Sequence, residues 1–517
     1  MKFIYFLCYL FPTLLLAQSD SIKTLPRFEV TSQRLNRFAI GQNRIDFDSF
    51  TLKTVQNQNL ADFLQNNTPL SIKAYGTGLA TVSTRGTGSS HTAIVWNGFN
   101  LQNPLNGLTD LPLFEAGAFE KMGVKFGGSS ALYGSGAIGG AIYLDNIQEE
   151  KQGFHAHLGF KTGSFGLFGE NLKISTSSEK VSANFRLSHQ SATNDFIFKN
   201  TAEIGQPLQR LQNAAYEKLN FTANLFFNLN KNNTLKIHGW DSRNDRQLAP
   251  TMTANNDKAL LKDATSRLAV EYGHFKNHPI GTLTEKHTKL RVAYFDEDNF
   301  YKSTVIDSSR NRAKTIIAEI EHNIDYNNKN ALRFGANFTQ NTALTNNFNE
   351  TKTRNRLATF AAYQFQILKT KFGITARQEL VDKKLIPFTF SLGFEKQILF
   401  TKNPHTPTAN YPLSIFHFPL ILRGSLSRNH NLPALNDLYW TQLGNPNLKA
   451  ENGFSGELGV DFKLKQSKLS LTAFGMKTKD QIQWSPQADG LWHPTNINTV
   501  FSRGLETLFS TNFKKGG

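Results

Sequence analysis

Val181-Ser-Ala-Asn-Phe-Arg-Leu-Ser188 is the stretch on which the fold turns: its odd positions are apolar, and its even positions are Ser, Asn, Arg and Ser. A period of two sends alternate side chains to opposite faces of a sheet. Leu219-Asn-Phe-Thr-Ala-Asn-Leu225 repeats the split, and Leu469-Ser-Leu-Thr-Ala-Phe-Gly475 follows it until Phe474 breaks it. About sixteen such segments lie between residues 150 and 511, most of them about 9–12 residues long, the length a tilted strand needs to cross a bilayer.

The connections sort into two kinds. Ser178–Lys180 and Asn230–Asn233 read as tight polar turns, whereas 191–215, 244–265 and 341–355 read as long loops. Short turns on one rim and long loops on the other are the pattern of an outer-membrane barrel. A soluble propeller would repeat a motif every ~40–50 residues; none recurs, and Trp240-Asp241 stands alone.

Bulk composition conceals this architecture. Hydrophobic residues make up 39% of the 517 and the mean hydropathy is −0.38, values typical of a soluble chain. Alternation averages a lipid-facing band away. The 43 Phe residues suit outward aromatic positions but fit a soluble β-protein too. The N-terminus is more informative: Lys2, an apolar run from Phe3 to Leu16, then Ala17-Gln18. That is the layout of a secretory signal cleaved near Ala17. The only cysteine, Cys8, lies inside it, so the mature chain is expected to hold no disulfide and no thiolate metal site. No later stretch reaches the ~18 apolar residues of a membrane helix. The formal charge of +17 is spread along the chain rather than gathered into a stripe, which argues against nucleic acid as a partner. Two readings of that charge stay open: a polar lumen with its loops, or a field that draws in an anionic ligand.

Four segments follow. Residues 1–17 are the signal, 18–40 a polar lead, 41–147 a Gly-rich unit with short apolar runs, and 148–517 the alternating region. Within the third come, in order, Asn59-Leu-Ala-Asp-Phe-Leu64, Thr68-Pro-Leu-Ser-Ile72, Val82-Ser-Thr-Arg-Gly86, Ala93-Ile-Val-Trp-Asn-Gly98, and the run Phe119 to Ile142 containing Gly127-Gly-Ser-Ser-Ala-Leu-Tyr-Gly-Ser-Gly-Ala-Ile-Gly-Gly140. This series resembles the plug of the TonB-dependent outer-membrane receptors, with Asn97 where the family more often has Asp. Arg428-Asn-His-Asn-Leu-Pro-Ala-Leu-Asn-Asp-Leu-Tyr439 and Gly444-Asn-Pro-Asn-Leu-Lys-Ala-Glu451 are similar to the family's late-barrel signature.

The resemblance implies an all-β fold: an antiparallel transmembrane β-barrel, 22-stranded in the family, with an N-terminal α+β plug in its lumen. With about sixteen segments counted and an ending of Phe513-Lys-Lys-Gly-Gly517, the last strands are expected to be missing, which would leave an unpaired edge. Phe28, Glu29, Val30, Thr31 and Ser32 resemble the TonB box, a segment that adds as a strand to a periplasmic energy transducer. Arg85 is expected to pair with barrel carboxylates. Tyr75, Asn100, Gln102, Asn103 and Asn106 are the expected ligand contacts, with Trp240, Arg243 and Arg246, at the start of a long loop, as weaker candidates. The implied cargo is cobalamin or an iron-siderophore. Haem fits less well, because His430 lies inside the first late-barrel motif and no His separates it from Asn445. Outer-membrane lipid is the implied surroundings, and no cofactor is expected.

Other signals fail on context. Gly134-Ser-Gly-Ala-Ile-Gly139 has dinucleotide-site spacing but precedes a strand-like run, not a helix. No nucleophile–base constellation suggests an enzyme, and Asp241 with Asp245 are too few carboxylates for a calcium loop. A passive pore or adhesin remains the competing class.

Overall fold

The computed structural model describes residues 38–511 apart from 48, 56–57, 77, 149–151, 254–257, 278–284, 305–307, 327–328, 399–419 and 464–465. The signal segment and Phe28–Ser32 lie outside the described residues.

From residue 153 onward the chain is a ring of antiparallel strands. Seventeen strands take part, one of them only the two-residue Lys384–Leu385, so sixteen are long. Paired residues run through the neighbouring long strands from Gly153–Gly163 round to Trp492–Thr511, and the strand order sets those two end strands next to each other. Among the described residues, the two end strands are neighbours in this order without the paired-residue register that joins the other long strands.

The wall is apolar outside and polar inside. In Val181–Ala192 the exposed side chains are Val181, Phe185 and Leu187, while Ser182, Asn184, Arg186 and Ser188 are buried. The next strand, Tyr216–Asn230, exposes Leu219 and Phe221 and buries Asn220, Thr222 and Asn224. A soluble protein does the reverse. An exposed apolar band continuing through Leu290, Val292, Ile316, Ile320, Phe334, Phe338, Leu357, Leu392, Leu426 and Leu458 is the surface that lipid covers.

Two expectations about this wall need correction. The long strands run from 10 to 20 residues rather than 9–12. Also, 244–265 and 341–355 are mostly strand: the connections there are 249–258 and 346–351. The cause is the same for both. The hydrocarbon layer needs only ~9–11 tilted residues, and beyond it the outer face no longer meets lipid while the inner face stays polar. Asp241–Gln247 is therefore polar on both faces and carries no period-two signal, although it pairs with Leu260–Ser266 throughout. The 191–215 connection is long, and holds a small hairpin of its own, Ile197–Lys199 with Leu208–Arg210.

Inside the ring sits a separate five-stranded sheet. Its order is Arg44–Phe47, Lys121–Phe126, Gly140–Asp145, Thr92–Trp96, Phe99–Asn100, with one parallel pair between Thr92–Trp96 and Gly140–Asp145. The helix Leu60–Asn67 covers it. Asn59 caps this helix by accepting from the Asp62 N–H at 2.9 Å, and Leu60, Phe63 and Leu64 face the core. Pro69 follows directly and cannot extend the helix. The result is the α+β plug that the sequence implies.

Candidate functional site

The plug's contact surfaces are set by tight turns. Asn97 and Gly98 join Thr92–Trp96 to Phe99–Asn100 with φ of +46° and +88°, a two-residue turn that needs left-handed residues. Asn97 Oδ1 accepts from the Asn146 N–H at 2.8 Å, and Asn97 Nδ2 donates to Asn146 Oδ1 at 3.3 Å. Only an amide serves both bonds, which accounts for Asn where Asp is more usual. Arg85 and Gly86, with φ of +52° and +74°, form a second such turn at the end of Ala80–Ser83.

That turn drives Arg85 into the barrel wall. Its guanidinium donates to Glu506 Oε1 at 2.9 Å and Oε2 at 2.8 Å, and to Glu457 Oε2 at 2.5 Å. Phe474 lies 4.5 Å from it as a cation–π partner. The break in alternation at Phe474 is therefore an aromatic side chain turned inward to meet the plug. Around this centre Asn43 N–H donates to Glu457 Oε1 at 2.6 Å, and Gly41 N–H donates to Glu395 Oε1 at 3.0 Å. His91 takes the Gly88 N–H on Nδ1 at 3.0 Å, so Nε2 carries the proton and donates to Glu451 at 2.6 Å. Lys125, fully enclosed nearby, donates to Gly128 O and Ser129 Oγ, and burial pushes its pKa down to about 7.

The opposite side of the plug is held differently. Trp96 and Phe114 meet Trp240 edge-on at 5.7 and 5.0 Å, and Phe119 does so at 5.6 Å. Arg267 lies over the Trp240 ring at 4.8 Å and pairs with Glu297 at 2.5 Å. Trp240, Arg243 and Arg246 all belong to strand Asn233–Leu248, so their placement at the start of a long loop is corrected. Trp240 and Arg246 are buried against the plug: Arg246 pairs with Asp110 at 2.7 Å, bonds Gly78 O, and pairs with Asp263. Burial raises the Asp110 carboxyl pKa, and the Arg246 charge opposes that rise.

The expected ligand residues divide. Tyr75 is 67% exposed at the tip between Ser71–Ala74 and Ala80–Ser83. Asn100, Gln102, Asn103 and Asn106 sit on the 98–110 loop but spend much of their hydrogen bonding on holding it. Asn100 donates to Ser135 O at 3.0 Å, and Gln102 donates to Ser90 O at 2.7 Å and Gly107 O at 2.6 Å. Asn103 accepts from Leu105 N–H and donates to Glu297, and Asn106 accepts from Leu108 N–H. The loop lies between two clefts. One, of about 250 Å³, includes Asn103, Asn106, Asp110 and Arg246. The other, of about 90 Å³, includes Asn100, Gln102, Asn103, Glu297, Arg354 and Arg356. The sequence reading missed Arg354, Arg356 and Arg377 on its wall. Their signal was Arg354-Asn-Arg356, two arginines at strand spacing on one face.

His430 is fully buried, 3.5 Å from Glu379, and does not reach either cleft. Among the described residues no group of three or more His, Cys, Asp or Glu side chains is placed to hold a metal ion.

Residues 154–517 match the family described as "TonB dependent receptor-like, beta-barrel", and residues 40–141 match the "TonB-dependent Receptor Plug Domain". The chain belongs to the TonB-dependent receptor family. It is 24% identical over 451 residues to the vitamin B12 transporter BtuB of Vibrio vulnificus, covering 84% of this chain and 67% of that protein. With BtuB of Photobacterium profundum it shares 20% over 475 residues, 88% of this chain and 70% of the other. The siderophore receptor PirA of Acinetobacter baumannii superposes with a TM-score of 0.71 at 14% identity, covering 94% of this chain and 80% of PirA. As a TonB-dependent receptor the chain is a transporter-type outer-membrane protein with a plugged β-barrel, and its wall and plug are those of that family.

Proposed function

We propose that this receptor actively takes up a large, scarce ligand, cobalamin or an iron-siderophore, across the outer membrane. In this reading the ligand binds from the long-connection rim, at Tyr75 and the clefts beside the 98–110 loop. Phe28–Ser32 then pairs with a TonB-type transducer, and the pull displaces the plug. Residues 1–17 serve as the signal that sends the chain to the membrane.

The carrying observation is how the plug is held. A passive pore has no use for a folded unit filling its lumen, and an adhesin none for buried ion pairs between that unit and the wall. Arg85, His91 and Asn43 join the plug to Glu457, Glu506 and Glu451 through groups that water can solvate again once they part. Such a unit can be both a seal and a moving part.

Purified full-length receptor titrated with cyanocobalamin and with ferric siderophores tests the cargo. Tight binding of cyanocobalamin alone assigns cobalamin; tight binding of a ferric siderophore alone assigns that class. Binding of neither sinks the proposed cargo.

A further inference from the structure

Arg354, Arg356 and Arg377 stand on the adjacent strands Lys352–Ile367 and Thr370–Val381 and line the cleft beside the 98–110 loop. Arg356 and Arg377 share one carboxylate: Glu379 lies 3.1 Å from Arg356 and 2.5 Å from Arg377. The cleft's other carboxylates are engaged, Glu297 with Arg267 and Glu319 with Arg291.

Arg354 is the odd member. It is only 7% exposed, yet among the described residues its side chain has no hydrogen bond or ion pair. The carboxylates whose field reaches it are Asp382 and Asp437. Asp382 accepts from Asn355 N–H at 2.8 Å, and Asp437 from Trp484 Nε1 and Ala434 N–H, each at 2.9 Å. A guanidinium taken this far out of water without a partner is costly. Its planar fork is suited to two oxygens of a carboxylate or phosphate.

We infer that the Arg354–Arg356–Arg377 wall is an oxyanion subsite, so that the cargo presents a phosphate, carboxylate or similar anionic group to Arg354. The cleft, about 90 Å³, has room for one such group. The inference deepens the proposed uptake function, on which it rests for the nature of the cargo. It also favours the second reading of the +17 charge: a field that gathers anions and ends at a specific partner.

The test is calorimetric titration of the full-length protein with inorganic pyrophosphate. Four proteins are compared: wild type, Arg354→Gln, Arg354→Lys, and Arg210→Gln as a control that removes one exposed charge from the 191–215 hairpin. Wild type and Arg210→Gln are expected to bind equally. Arg354→Gln should bind about tenfold more weakly, the effect of losing one charged hydrogen-bonding partner. Arg354→Lys, which keeps the charge, should lose less than Arg354→Gln. The inference is overturned if wild type does not bind, if Arg354→Gln binds as wild type does, or if Arg210→Gln loses as much. Each of these leaves energy-coupled uptake standing, because that reading is decided by deleting residues 27–32.

Discussion

Against Asn233–Leu248, Ala259–Asn277 and Glu285–Lys302 the plug presents Trp96, Phe99, Phe114 and Phe119 to Trp240 and Phe295. Against Leu420–Asn431, Glu451–Lys463 and Trp492–Thr511 it presents Arg85, His91 and Asn43 to Glu506, Glu451 and Glu457. The first wall holds chiefly by excluding water from aromatic surface, at ~25 cal/mol per Å², with the Arg246–Asp110 pair beside it. The second holds by charges that are satisfied when docked and can be satisfied by water when apart. The chain enters the plug beside the second wall, since Gly41 bonds Glu395 and Asn43 bonds Glu457. Under the proposed coupling, a pull arriving through the lead would load the ionic wall first and leave the aromatic wall as the hinge side.

The largest expected effect breaks the aromatic wall. Trp240→Ala should destabilise the plugged state by about 3–5 kcal/mol, the cost of emptying a large buried aromatic site, measured by denaturant unfolding. Glu457→Gln should follow, at about 3 kcal/mol, because Arg85 and Arg423 both lose a buried carboxylate. Hydrogen exchange sharpens the contrast: Glu457→Gln should speed exchange at residues 40–46 and leave Thr92–Trp96 protected, whereas Trp240→Ala should reverse that order.

A smaller effect is pH-dependent. Lys125 titrates near 7 in the docked plug and at about 10.5 when unburied, so between those values the unfolded state binds more protons and stability rises with pH. Lys125→Met should flatten that slope between about pH 7 and 10; an unchanged slope would assign it to another group. The smallest change is Asn97→Asp, expected to cost about 1 kcal/mol because it sets two oxygens against each other at Asn146 in place of a donated bond.

Much of this was legible in the chain. Alternation at Val181–Ser188 and Leu219–Leu225 gave the wall and which side faces lipid, because one apolar face leaves a period of two. The plug was legible from its glycine turns, where positive φ restricts the residue type. Arg85 stood out because Gly86 and small neighbours left it room to reach the wall. Strand ends were not legible: Asp241–Gln247 is polar on both faces, with water outside and Arg246 paired to the plug inside, and so reads as a loop. Nor was the use of Asn100 and Gln102, since an amide that holds a turn and one that binds a ligand look alike in sequence. Arg354 and Trp240 owe their roles to partners far along the chain, which local pattern does not contain.

The central claim is that a pull through the lead moves a plug held in a binding-competent barrel. Deletion of residues 27–32, with uptake of radiolabelled ligand and surface binding measured on the same cells, tests it most directly. The account predicts unchanged binding with uptake reduced to the level of cells lacking the transducer. Uptake that persists after the deletion would contradict it and return the chain to the class of passive pores.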